Sequence, residues 1–251
     1  MAATGGILNM PWRLFAHGET CRRPAVSSHP VASGTFMNDL HGFHPGAFLS
    51  ASHDSDTVFW SARPSGPMLD PGACTAVTAL YRTMLPEGGR ILDLMAGSDS
   101  HLPDNVAFDA VIGIGVDAPA LDANGRLTQR IVQDLNDTTE LPLADESLDA
   151  VCLCDVVPYL RHPVALFREI ARVLQPGGLV LVTYGNGFVP QKAVALWQAI
   201  ETEERQRLVR IVMQRAGFAH TDTGSVTPPP NDAVWHDTVY GVTARRDEGA
   251  A

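Results

Sequence analysis

A chain of 251 residues with 45% hydrophobic content suits one domain with an extension, or two small ones, and can bury a sizeable core. Its formal net charge of −10, with basic residues clustered no further than the pairs Arg22-Arg23 and Arg245-Arg246, argues against a grip on nucleic-acid phosphates and favours a small-molecule partner. No apolar run approaches the ~18 residues of a membrane span, and Pro11 and Arg13 interrupt an N-terminus that lacks a charged leader, so neither a span nor a signal peptide is expected and the cytoplasm is the default.

Residues 1–55 are rich in Gly, Pro, Ser and His and weakly periodic, which predicts an irregular, partly mobile segment or a cover over a site. Five of the nine histidines lie there: His17, His29, His41, His44 and His53. Nothing in the pattern holds them in register, so no metal site is expected. Cys21, Cys74, Cys152 and Cys154 form no Cys-x-x-Cys pair and read as reduced thiols, with Cys152 and Cys154 on one face of a strand. Residues 1–70 are taken as an N-terminal extension or lid, and 71–246 as the main domain. Phe59-Trp60-Ser61-Ala62-Arg63-Pro64 is an aromatic-basic stretch, in which Arg63 could pair with a substrate anion. Asp70-Pro71 reads as an N-cap and first helical residue, opening an amphipathic helix over 71–85.

Arg90 to Leu94 predict a first strand with a carboxylate, Asp93, near its end, followed by the small residues Ala96, Gly97 and Ser98, where backbone can approach a ligand. Pro103 limits any helix after it. Val111 to Asp117 predict the second strand, Thr128 to Val132 the third, and Leu148 to Cys154 a fourth that is apolar on both faces. A helix opens at His162-Pro163, and Pro176-Gly177-Gly178 precede a fifth strand over Leu179–Thr183. Lys192 to Ala216 read as a long helical segment with a break expected near Thr202, and Phe218–Val226 and Thr238–Ala244 as the last two strands.

Residues 90–101 resemble motif I of class I S-adenosylmethionine (SAM)-dependent methyltransferases. Asp93 and Gly97 match; Met95 and Asp99 stand where two further glycines would be. Two other phrases are similar to the ubiquinone-biosynthesis-like, type 11 kind: Leu141-Pro-Leu-Ala-Asp-Glu-Ser-Leu-Asp149-Ala-Val151, and Glu169-Ile-Ala-Arg-Val-Leu-Gln-Pro-Gly-Gly178. The resemblance spans roughly residues 70–245. It implies an α/β, Rossmann-like sheet of seven strands in order 3-2-1-4-5-7-6, strand 7 antiparallel, and an enzyme that moves a methyl group from SAM to O, N, S or C of a small molecule. It also implies a cofactor cradle of Asp93, Met95, Ala96, Gly97, Asp117 (ribose hydroxyls), Asp134 and Leu135 (adenine edge) and Cys154. Arg63, Tyr184 and Asn186 become candidates for substrate contact, and His101, Asp155 and Tyr159 for a catalytic base. Glu169 and Arg172 are expected to serve the architecture. The departures at Met95 and Asp99 motivate a rival: a SAM-binding protein of this fold that does not methylate.

Overall fold

The structure, a computed structural model, describes residues 40–63 and 66–248; the expectations at His17, His29 and Cys21 lie outside the described residues. Seven strands form one sheet: β1 Arg90–Leu94, β2 Ala110–Gly115, β3 Gln129–Val132, β4 Leu148–Cys154, β5 Leu174–Tyr184, β6 Thr221–Val226 and β7 Val239–Arg245. Their order is β3-β2-β1-β4-β5-β7-β6. The first five run parallel, and β7 is antiparallel to both β5 and β6. The helices are α1 Asp56–Ser61, α2 Pro71–Met84, α3 Ala118–Ala123, α4 Pro163–Val173, α5 Ala195–Ala199 and α6 Thr202–Arg215.

The strands alternate side chains between two cores, as a pleated sheet covered on both faces must. Leu92, Ile112, Val151 and Val180 face α4 and α6. Ile91, Val111, Cys152 and Leu181 face α2, with Leu121 of α3. Asp70 caps α2 by accepting from Ala73 N at 2.8 Å, as expected of an Asp-Pro start.

Several boundaries differ from the sequence reading. β5 starts at Leu174, directly on the C-cap of α4, because Gly177 takes the left-handed φ of +77° that lets the Pro-Gly-Gly stretch stay in the sheet. β6 starts three residues late, at Thr221. The 192–216 segment is broken where expected, into two helices separated by the extended Ile200 and Glu201. The short helices α1 and α3 were not foreseen. Residues 40–55, expected to be irregular and partly mobile, are irregular but stitched down. Ala47 O and Leu49 O accept from Leu196 N and Ala195 N, each at 2.8 Å, and Phe48 is buried in the core.

At the N-terminal end of the strands, Glu169 and Arg172 act as expected. Arg172 reaches Glu169 at 2.7 Å and Asp145 at 2.6 Å. It also donates to the carbonyls of Leu141 and Leu143, each at 2.9 Å. Glu169 accepts from Leu141 N at 2.9 Å. The Leu-Pro-Leu phrase is therefore the strap that this pair holds against α4.

Candidate active site

The opposite, C-terminal end of the parallel strands gathers the polar residues, the place where open α/β sheets take ligands. After β1 the chain turns at Met95, whose φ of +54° is a left-handed conformation that glycine adopts at less cost. The turn is held from two sides. Ala96 N donates to Ile114 O at 2.8 Å, and the buried Asn124 donates from Nδ2 to Gly97 O at 3.0 Å and Asp99 O at 3.4 Å. Gly115 is obligatory here: a Cβ on it would lie 2.3 Å from Ala96 O. Open space surrounds the Cα of Gly97. The Asp93 carboxylate has no hydrogen-bond donor among the described residues, and burial pushes its pKa to about 7 although its tip keeps some exposure.

Beside this turn lies a cleft of ≈480 Å³ lined by Thr57, Ser61, Val116, Asp117, Ala118, Pro119 and Val132. Asp117 also caps α3, accepting from Ala120 N at 3.4 Å. Val132 is 59% exposed at the end of β3, an apolar face turned toward the cleft.

One wall of the cleft is α1. Ser55 caps it, accepting from Val58 N, and a buried network pins it to three loops. Asp56 pairs with Lys192 at 2.6 Å, with the two side chains 1% and 5% exposed. Asn136 donates to Asp56 at 2.8 Å and to Tyr159 O at 2.8 Å, and accepts from Arg161 N at 2.7 Å. Asp134 accepts from Asp56 N at 3.2 Å and Asn136 N at 2.9 Å. Burial raises the Asp134 carboxyl, with the Asn136 N–H pulling the other way. Asp134 thus ties α1 to the end of β3, a task the sequence did not advertise. Asp56, Lys192 and Asn136 were missed as well; the only available signal was the Ser55-Asp56 cap.

At the end of β4, Asp155 takes φ +54° and is 9% exposed; its Oδ1 accepts from Gly185 N at 2.9 Å. Burial pushes it to about 7, against the Gly185 N–H and with the help of Asp237. Tyr159 OH accepts from Val189 N at 3.0 Å and donates to Met68 Sδ at 3.5 Å, and burial raises its pKa. Its ring meets Trp60 edge-on at 5.0 Å, in an apolar group with Phe59, Met95 and Phe188. Arg63 is exposed, its guanidinium 5.7 Å from the Phe59 ring and 5.9 Å from that of Trp60. Burial lowers the pKa of His101, the Asp99 charge opposing. Leu135 is core, and Cys154 shares the α2 face with Cys152.

Tyr184 ends β5 at the ligand end of the sheet, and its ring turns into the α6-side core, 5.5 Å from Tyr240 in a stack and 5.0 Å from Trp197 edge-on. Every residue of β5 from Leu179 to Tyr184 is buried, so sequence alternation could not show which face it takes. Asn186 is exposed on the following loop.

Comparison with known proteins agrees with this geometry. The profile of the family described as "Methyltransferase domain" matches residues 92–182. A demethylmenaquinone methyltransferase of Roseiflexus castenholzii is 29% identical over 195 residues, 68% of this chain and 77% of that protein. Among solved structures, the [4+2]-cyclase SpnF aligns with TM-score 0.52 at 18% identity over 69% of this chain and 80% of its own. A SAM-dependent methyltransferase of Thermotoga maritima, titled a possible histamine N-methyltransferase, aligns with TM-score 0.52 at 17% identity over 70% and 89%. These two likenesses speak to the fold.

Proposed function

We propose that this chain, whose residues 92–182 match the methyltransferase-domain family, is a class I SAM-dependent methyltransferase of the type 11 kind and that it methylates a small planar acceptor held against the Trp60–Tyr159–Phe188 wall. The observation that carries this reading is that Asp93 and the open Gly97 turn stand at the C-terminal end of β1, next to β2 and the cleft that Asp117 lines together with Thr57 and Ser61 of α1.

The donors present fit SAM. Asp117 offers two oxygens to a ribose diol. Val132 and Pro119 offer apolar faces to a base, and Asp134 keeps lone pairs beyond the two it shares with backbone. Asp93, without a donor of its own, offers the one unpartnered carboxylate beside Gly97. When bound, SAM supplies a methyl group on a sulfonium, already an activated leaving group. The chain's own task is therefore alignment and exclusion of water. The α1 lid covers the site, and Met95, Trp60 and Tyr159 make its inner surface apolar. Asp155, with a carboxyl near 7, can take a proton from an acceptor hydroxyl at neutral pH. Tyr159, with its hydroxyl already engaged and its pKa raised, positions the loop through Val189 instead.

The relative from Roseiflexus is named for a quinone substrate, and the aromatic wall suits a ring of that kind. The test is methyl transfer from isotopically labelled SAM to 1,4-naphthoquinol, read by mass. A labelled methylated product is expected, reduced at least a hundredfold in Trp60→Ala. SAM binding with no transfer to this or any extract component would favour the non-methylating rival. That rival rests on Met95, held left-handed where the family has glycine, and on the fact that the same fold serves a [4+2]-cyclase.

A further inference from the structure

Behind the aromatic wall sits a charge that the reading above does not use. Arg205, in the first turn of α6, is 7% exposed. No carboxylate among the described residues pairs with it: its guanidinium lies over two ring faces, 5.0 Å from Phe188 and 5.2 Å from Trp197. Its Nε is sealed from solvent without an acceptor, and so is the hydroxyl of Tyr184, whose ring is 5.0 Å from that of Trp197. A buried guanidinium normally has a counter-charge, and ring faces do not replace one. Two orphaned polar atoms and one uncompensated cation around a single indole describe half of a recognition site.

The position says for what. Tyr184 ends β5, so the group stands at the same end of the sheet as the cleft. Phe188 packs both against this core and against the cluster of Tyr159, Trp60 and Met95, so one ring touches Arg205 on one side and the proposed acceptor pocket on the other. It is half-buried and follows the exposed Asn186-Gly187, where a Cβ on Gly187 would meet nothing within 4 Å.

We infer that Arg205 is the anion-recognition residue of the acceptor site. It pairs with a planar oxyanion of the methyl acceptor, a carboxylate or an aryl oxide, once the Phe188 ring turns aside. The planar guanidinium suits such a group bidentately, and Tyr184 OH supplies a further donor. This rests on the methyltransferase reading for the identity of the pocket, and the two can fail separately.

The test is calorimetry on the full chain saturated with S-adenosylhomocysteine, titrated with benzoate, 4-nitrophenolate and neutral benzamide. Binding of that nucleoside alone tests the methyltransferase reading. For Arg205, at least one anion is expected to bind tenfold or more tightly than benzamide. Preference for benzoate or for 4-nitrophenolate assigns the oxyanion as carboxylate or aryl oxide. Arg205→Met should abolish the preference while leaving nucleoside affinity unchanged, and Arg205→Lys should retain part of it. Equal binding of anions and benzamide, no binding of either anion, or an unaltered preference in Arg205→Met would overturn the inference. Should Arg205→Met fail to fold, Phe188→Ala decides: it is expected to tighten anion binding severalfold, and unchanged or weaker binding overturns the proposal.

Discussion

The two ends of the sheet treat their polar groups in opposite ways. At the N-terminal end every group of the strap is paired: Arg172 with two carboxylates and two carbonyls, Arg246 with Glu146 at 2.8 Å, and Asp149 with Arg90 N at 2.8 Å and Gln175 at 3.2 Å. At the C-terminal end Asp93, Trp60 Nε1, Tyr184 OH and Arg205 Nε have no hydrogen-bond partner among the described residues. Unpaired buried groups cost stability, so the contrast between a fully paired strap and this open set marks the C-terminal end as the one that meets ligands.

The sharpest way to break this contrast is the buried ion pair at the open end. Lys192→Met leaves Asp56 buried and uncompensated, a loss of roughly 3–5 kcal/mol. Because Asp56 starts α1, the loss should show as vanished hydrogen-exchange protection over residues 55–61, with SAM affinity reduced and the sheet still protected. If protection of those residues persists, the lid is held by something else. Next in size is Arg172→Ala at the closed end. It strands Glu169 and two carbonyls and should cost about 2–3 kcal/mol, a drop in Tm of roughly 5–10 °C, with SAM affinity in the folded protein untouched. An effect on cofactor binding there would blur the division between the two ends.

A smaller effect comes from pH. Burial raises Asp93 and Asp155 to about 7, above the unfolded value of 3.8, so between those limits the folded state holds protons that the unfolded state has released. Acidification from about pH 8 to about pH 6 should therefore raise Tm of the ligand-free protein, and stability should fall as pH rises through 7. Asp93→Asn should flatten that slope and stabilise the protein at pH 8. Glu169 works in the opposite sense: burial raises it, but the Arg172 hydrogen bonds prevail and hold it low, so its contribution is lost only in acid. A slope unchanged in Asp93→Asn would mean the carboxylate is better solvated than its surroundings indicate.

The closed end was the more legible in sequence. β4 was bounded to the residue because its apolar run is continuous, and Glu169 and Arg172 stand three apart on a helix, where they must meet. The open end was read in part. Asp93 lies in the first strand and Gly97 in the turn after it, as local pattern put them, whereas Asp117, read as the end of the second strand, stands two residues past it. α1 escaped because six residues are too few for a periodic stripe, and its hold on the fold comes from Lys192 and Asn136, far away in the chain. α3 was missed because the second strand was read through to Asp117, which instead caps this six-residue helix. The face that the Tyr184 ring takes was not legible, because a strand buried on both faces carries no alternation to orient it. Arg205 gave no sign at all: among the charges of α6, only its packing under Phe188 and Trp197 sets it apart.

The most direct test is calorimetric titration of SAM into the wild-type chain and into Asp117→Ala. We expect saturable one-to-one binding, weakened at least tenfold in the variant, about 1.4 kcal/mol or more, with the ligand-free Tm lowered by no more than the loss of one weak helix cap. SAM binding of equal affinity in both proteins, or none in the folded wild type, would contradict a cofactor cradle at the C-terminal ends of these strands.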